Sequence, residues 1–309
     1  MANLYKIKGN VVNVRSSPTK INNSNIITTL NQDFVVSLVD NINVEWFKVT
    51  FVKNNIRLEG FIYATLLEKV DGDNQIPPVS VPILPPEVHF KNNNSSNRNS
   101  VIARHFQLNE PNMSFRAITD TNEQKIQVIH QIINFLSVNT SKRYLPINNG
   151  QTTYCNIYAY DFCYLNSAYL PRVWWTQKAI LNIQQKISVN VSYGETVREL
   201  RANDLFDWLD EWGSSYGWIR TFDLTELQNQ VNQGKVGLIC AKRLDTNRSG
   251  HIVAVVPETA TFVARHSGGV VIEPLQSQAG VSNKKLFNNS NQWWTKPNTF
   301  REFGFWYHA

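Results

Sequence analysis

A thiol and an imidazole are the side chains of this chain whose pairing would make a nucleophile. Cys155 stands in QTTYCNIYAYDFC, residues 151–163, where a polar loop runs into an aromatic stretch of helical character. A cysteine reacts as thiolate, and its pKa falls most readily at a helix N-terminus or beside an imidazolium. If a helix opens at Cys155, with Thr152 or Thr153 as its cap, the free amides of the first turn point toward the sulfur and toward an oxyanion forming beside it. His251 stands in SGHIVAVVP, directly after a glycine, and opens an apolar strand. At a strand mouth facing that helix end, it can take the thiol proton and later return it to a leaving amine. The chemistry expected of the pair is attack on an amide carbonyl.

The other two cysteines fit no such role. A helix would set Cys155 and Cys163 roughly 12 Å apart, beyond the reach of about 7 Å that a disulfide allows. Cys163, among aromatics, and Cys240, inside VGLICA, are expected to be buried and inert. Three cysteines without CxxC spacing argue against a disulfide framework. With no HExxH pattern and no glycine-rich phosphate loop, neither a metal nor any other cofactor is expected.

Composition narrows the partners. At 309 residues, 42% hydrophobic and 17% charged, the chain has the make-up of a folded protein of two domains. The net charge of +6 is scattered, with AKRLDTNR the densest basic block. That pattern suits weak attraction to a polyanionic surface such as an acidic bacterial cell wall, and not sequence-specific reading of nucleic acid. No apolar run reaches the roughly 18 residues of a membrane span, and MANLYKIKGNVVNV lacks the apolar core of a secretion signal. No membrane partner is therefore expected, and the sequence leaves the export route unassigned.

The elements that must position the pair read as a mixed domain over residues 101–309. TDTNEQKIQVIHQIINFLSV sets Ile126, Ile129, Ile133 and Leu136 at helical spacing behind a capping run, with His130 an ordinary helix residue. DLFDWLDEWG sets Leu205, Trp208, Leu209 and Trp212 on one helical stripe, either core or the wall of a substrate groove. DLTELQNQVNQGK is a shorter capped helix. Three apolar strands follow, VGLICA, GHIVAVV and GGVVIEP, as a meander. Helices first and strands after them describe an α+β domain. Many of the nine tryptophans, including those of VWW and QWW, belong either to the core or to a groove for sugar rings.

Residues 1–70 differ in kind. GNVVNVRSSP, SNIITTLNQDFVVSLVD, NVEWFKVTFV and LEGFIYATLLEKV are short alternating strands broken by Asn-rich turns, a small all-β module. Over residues 71–100, prolines in IPPVSVPILPPEV and the tract KNNNSSNRNS predict a linker, or an extended strap over the next domain.

From Val11 to Glu68 the order of NVRSSP, an I-x-TL hairpin, W-x-KV and a closing GFI segment resembles the bacterial Src-homology-3-like domain, a small β-barrel. Residues 149–283 resemble the papain-like cysteine peptidoglycan hydrolases, the group of NlpC-like endopeptidases and CHAP amidases. The match rests on Cys155 with Asn156, Gly250 with His251, Pro257, and Gln278, Ala279 and Gly280. The resemblance implies a catalytic Cys155 and His251 and a polar residue after the histidine strand that orients the imidazole. Gln278 and Glu273 are both candidates for that third role. It implies a cell-wall hydrolase with peptidoglycan as partner, acting in the periplasm or outside the cell, endolysin-like or a toxin effector with an immunity or delivery protein. Three other readings stay open: a wall-binding protein without catalysis, an injected toxin that deamidates or cross-links protein glutamines, and a secreted effector whose barrel recognises a protein partner instead of glycan.

Overall fold

The computed structural model describes residues 3–20, 25–53, 56–70, 83–93 and 97–309. The chain divides into two compact units, Met1–Pro82 and Ile83–Ala309.

The first unit is all β. Its strands are β1 (Leu4–Ile7), β2 (Val11–Arg15), β3 (Ile26–Asn31), β4 (Val35–Asn41), β5 (Trp46–Lys53), β6 (Ile56–Tyr63) and β7 (Leu67–Lys69), in the sheet order β3-β2-β6-β5-β4-β1-β7. The alternation read in β2 is realised: Val12 and Val14 enter a core with Ile7, Val36, Val49 and Ile62, while Val11 and Asn13 face solvent. Arg15 breaks the rule and is buried, its guanidinium donating to the side-chain oxygen Oδ1 of Asn25 at 2.6 Å. Among the described residues no ladder joins β3 to β7, so the sheet is open at its edges and the expected barrel does not close.

In the second unit, helices α1 (Asn122–Leu136), α2 (Cys155–Leu165), α3 (Gln177–Gln184), α4 (Ala202–Glu211) and α5 (Leu224–Val231) pack around an antiparallel sheet. Its ten strands are β8 (Val173–Trp175), β9 (Val197–Glu199), β10 (Trp218–Thr221), β11 (Val236–Arg243), β12 (His251–Val255), β13 (Arg265–Ser267), β14 (Val270–Glu273), β15 (Gln276–Gln278), β16 (Lys284–Phe287) and β17 (Phe300–His308). Six of them form the main sheet in the order β10-β17-β11-β12-β15-β16. Both of its faces are covered, which is why VGLICA and HIVAVV read as continuous apolar runs. Leu238, Cys240, Ile252 and Ala254 pack with α1, α2 and α4, whereas Ile239, Ala241, Val253 and Val255 meet Leu227, Val231, Trp293 and Trp294.

Two expectations change here. GGVVIEP is not the third strand of the meander: β14 pairs with β13 in a separate ribbon, and the neighbour of β12 is the short β15. The proline stretch is strap from residue 83 onward, with Val88 and Phe90 in the core of the second unit. Proline-rich backbone has carbonyls to satisfy but few amides to donate. Indole and phenol groups supply the donors: Trp175 Nε1 donates to the Pro86 carbonyl at 2.8 Å, and the Tyr169 hydroxyl donates to the Val88 carbonyl at 3.1 Å. Residues 71–82 and 94–96 of the expected linker lie outside the described residues. Among the described residues no helix is long and apolar enough to cross a membrane.

Candidate active site

The loop that delivers Cys155 is a tight turn closed by a bridge between Ile147 and Thr152. Asn148, Asn149 and Gly150 all hold positive φ, the conformation that asparagine and glycine tolerate best. α2 then opens at Cys155, as expected. Its cap differs from expectation: Tyr154 is the N-cap and offers no side-chain hydrogen bond, and neither Thr152 nor Thr153 caps the helix. The first-turn amides are thereby left to the sulfur. The Cys155 thiol is met by the backbone N–H groups of Cys155, Asn156 and Ile252.

α2 is fixed along its length by buried polar anchors. Asp161 accepts from Arg143 Nε at 2.5 Å and Nη2 at 2.9 Å and from the Tyr144 hydroxyl at 2.8 Å, with no exposure at Arg143, Tyr144 or Asp161. Near the front of the helix, the Tyr158 hydroxyl lies 2.5 Å from Ser277 Oγ, tying α2 to β15. Asn156 donates to the Leu200 carbonyl at 3.0 Å.

β15 carries the partner of His251. It pairs with β12 through Ala254 with Ser277 and Val255 with Gln276. Continuing that register sets Gln278 opposite Val253, on the same face as His251 two residues away. The contact follows: His251 Nε2 lies 2.8 Å from Gln278 Oε1. Gln278 Nε2 donates to the Ser282 carbonyl at 3.0 Å, so its oxygen must face the histidine and His251 Nε2 must carry the proton. Nδ1 is then the basic nitrogen, and no other side chain among the described residues bonds to it. Trp293 packs edge-on against the imidazole, with ring centroids 4.7 Å apart, and its own Nε1 donates to Gln276 Oε1 at 2.9 Å.

Glu273, the other candidate orienter, is not brought to the histidine. It ends β14, buried, where it accepts from the Ser290 backbone amide at 2.6 Å and lies 3.4 Å from Arg265. The separate pairing of β14 is the reason. Gly250 is required by close approach: a Cβ there would sit 2.2 Å from the Ala241 carbonyl oxygen and 2.6 Å from Asn203 Oδ1.

The sulfur and the imidazole are not joined. Cys155 reaches the amide of Ile252, the residue after His251, and no Sγ–imidazole hydrogen bond is present among the described residues. A cleft of about 670 Å³ is lined by Gly150, Gln151 and Thr153 on one side and by His251, Gln278 and Trp293 on another. Cys155 is not part of the lining and is buried at 3% exposure, whereas Thr153, two residues earlier, does line the cleft.

Burial decides both protonation states. It pushes the Cys155 thiol above its ordinary value of 9.0, against the pull of the Ile252, Asn156 and Cys155 amides and of Arg243. This reverses the expectation of a thiol lowered by the helix end. Burial likewise lowers His251 below 6.5, with the Gln278 hydrogen bond acting upward and Arg243 downward. At neutral pH the pair is therefore thiol and neutral imidazole.

Sequence reasoning missed Trp293 and Arg243 as parts of this site. Each had a signal, since QWW and AKRLDTNR both stood out, one for sugar binding and the other for diffuse charge. The stripe Leu205, Trp208, Leu209 and Trp212 is core, although Trp208 and Trp212 with Trp174 also edge a smaller cavity of about 190 Å³. Cys163 and Cys240 are free, fully buried thiols. Among the described residues no cluster of His, Cys, Asp and Glu is assembled to hold a metal ion. No protein-family model, no curated protein and no solved structure matches this chain.

Proposed function

We propose that this chain is a cysteine amidohydrolase of the bacterial cell wall, with a papain-like second unit and a wall-docking first unit of the bacterial Src-homology-3-like kind. The observation that carries the reading is the contact of His251 Nε2 with Gln278 Oε1. Gln278 holds Nε2–H, so the lone pair of Nδ1 is left for the thiol that opens α2. Nδ1 takes the Cys155 proton as the sulfur attacks the amide carbonyl. The imidazolium then protonates the leaving amine, and water cleaves the resulting thioester. Backbone N–H groups at the start of α2 are placed to share the oxyanion. Gln278 is a positioning residue and Trp293 covers its bond to the histidine. A docking unit on the same chain raises the local concentration of wall amides. Sacculi incubated with the protein should release new amines, and sacculi with the Cys155→Ala variant should not. Equal release from the two ends this reading.

A second reading is favoured by the burial and raised pKa of Cys155: the cleft binds wall peptides without cutting them. It requires that wild type and Cys155→Ala bind sacculi alike and that neither releases amines.

A further inference from the structure

We propose that the cleft takes a substrate bearing a carboxylate beside the scissile amide and that Arg243 is the residue that holds it, a proposal resting on the cleft's being the substrate site. The lining includes Arg243, Arg248, Lys284 and Lys296 and no Asp or Glu. Several cations elsewhere in the second unit meet carboxylates: Arg143 pairs with Asp161, Arg172 with Glu199, Arg198 with Asp204 and Lys242 with Asp207. Among the described residues none of the four cleft cations forms an ion pair. Asp245, in the turn between Arg243 and Arg248, accepts from the Asn247 amide at 3.0 Å and is not part of the lining. Asp245 acts on the charge of Arg243 without pairing with it, and the lining itself keeps an excess of four cations, which draws anions to a concave site.

Arg243 is the best prepared of the four. A register shift after Lys242 marks the end of regular pairing between β11 and β17 at this residue. Its Nε donates to the Ser249 carbonyl at 3.2 Å, and its guanidinium carbon lies 5.3 Å from the Phe300 ring centroid. These contacts fix the plane of the group and occupy one of its donors. The two Nη nitrogens have no protein partner among the described residues. That is the fork a carboxylate binds with two parallel hydrogen bonds. Arg243 lines the same cleft as His251 and opposes positive charge on that imidazole, so an anion seated on it shares the cleft with the proposed base.

The test uses full-length Cys155→Ala protein, which binds without turnover, and two synthetic peptides of sequence L-Ala-γ-D-Glu-L-Lys. One carries the free glutamyl α-carboxylate and the other a carboxamide at that position. Calorimetric titration should find the acid bound tighter by roughly tenfold to a hundredfold, as expected for charge-assisted bonds. Adding Arg243→Gln should erase the preference by weakening the acid alone. Arg243→Lys, which keeps the charge and loses the fork, should retain only part of it and serves if the glutamine variant is unfolded. Equal affinities, no measurable affinity for either peptide, or a preference that survives Arg243→Gln overturns the assignment. Each of those results leaves cleavage of sacculi standing, whereas uncut sacculi with an intact acid preference would remove the enzyme and keep the carboxylate site.

Discussion

Helix α2 holds two thiols in two environments, and their contrast shows what makes a cysteine a candidate nucleophile. Cys155 and Cys163 are both buried, at 3% and 0% exposure, so burial does not separate them. What separates them is the surrounding hydrogen-bond donors. At the N-terminus, the amides of Cys155, Asn156 and Ile252 and the charge of Arg243 oppose the effect of burial. In the helix interior every amide is spent within the helix, and only Arg116 opposes it, so the Cys163 thiol stands well above its ordinary value. A helix terminus offers a thiolate what a helix interior cannot.

The sharpest break of that comparison is kinetic. Cys155→Ala should lower amide cleavage by about three orders of magnitude or more, measured as amine release from sacculi, with its thermal midpoint little changed. Between the two thiols lies Asp161, whose loss should act oppositely. Asp161→Ala strands a buried Arg143 and should cost about 3–5 kcal/mol in urea unfolding, with activity per folded molecule retained. Gln278→Ala should lower kcat roughly tenfold to a hundredfold, a share of the acid–base contribution, with KM little moved. A merely structural Gln278 would lower stability and leave kcat alone. Cys163→Ala should keep activity and lose about 1–2 kcal/mol of stability through a small cavity.

Protonation sharpens the contrast further. The folded chain releases the His251 proton more readily than the unfolded chain does. The stability this group contributes is therefore complete above its ordinary value of 6.5 and is lost as pH falls through the lowered folded value. The acid limb of kcat/KM should have its midpoint below pH 6.5, and His251→Gln should abolish it. Cys155 runs the other way: its contribution is present below 9.0 and is lost as pH rises toward the raised folded value. Iodoacetamide should label Cys155 slowly at pH 7 and faster above pH 9, while Cys163 stays unlabelled until the protein unfolds.

Local patterns in the chain were sufficient for several of these features. The capping run at α1, the stripe of α4 and the apolar β11 and β12 follow from periodicity and capping chemistry, which act within one or two helical turns, whereas α2 opens at Cys155 without the expected threonine cap. The alternation of Val12 and Val14 in β2 is legible for the same reason. The choice between Gln278 and Glu273 was not, because both lie in short polar-ended strands and only sheet pairing tells which strand neighbours β12. The strap was half legible: its prolines exclude helix and central strand, but its seat depends on Tyr169 and Trp175, far away in sequence.

By itself the sequence determined that a thiol would open a helix, that a histidine would open a buried strand, and that two units of different composition would form. Only tertiary structure decided that the sulfur rests against the amide of Ile252, that Gln278 fixes the imidazole tautomer, and that Arg243 faces the cleft with its fork unoccupied. Helix starts and strand alternation are set by neighbours in the chain, whereas desolvation, register and the meeting of distant charges exist only once the sheet has assembled.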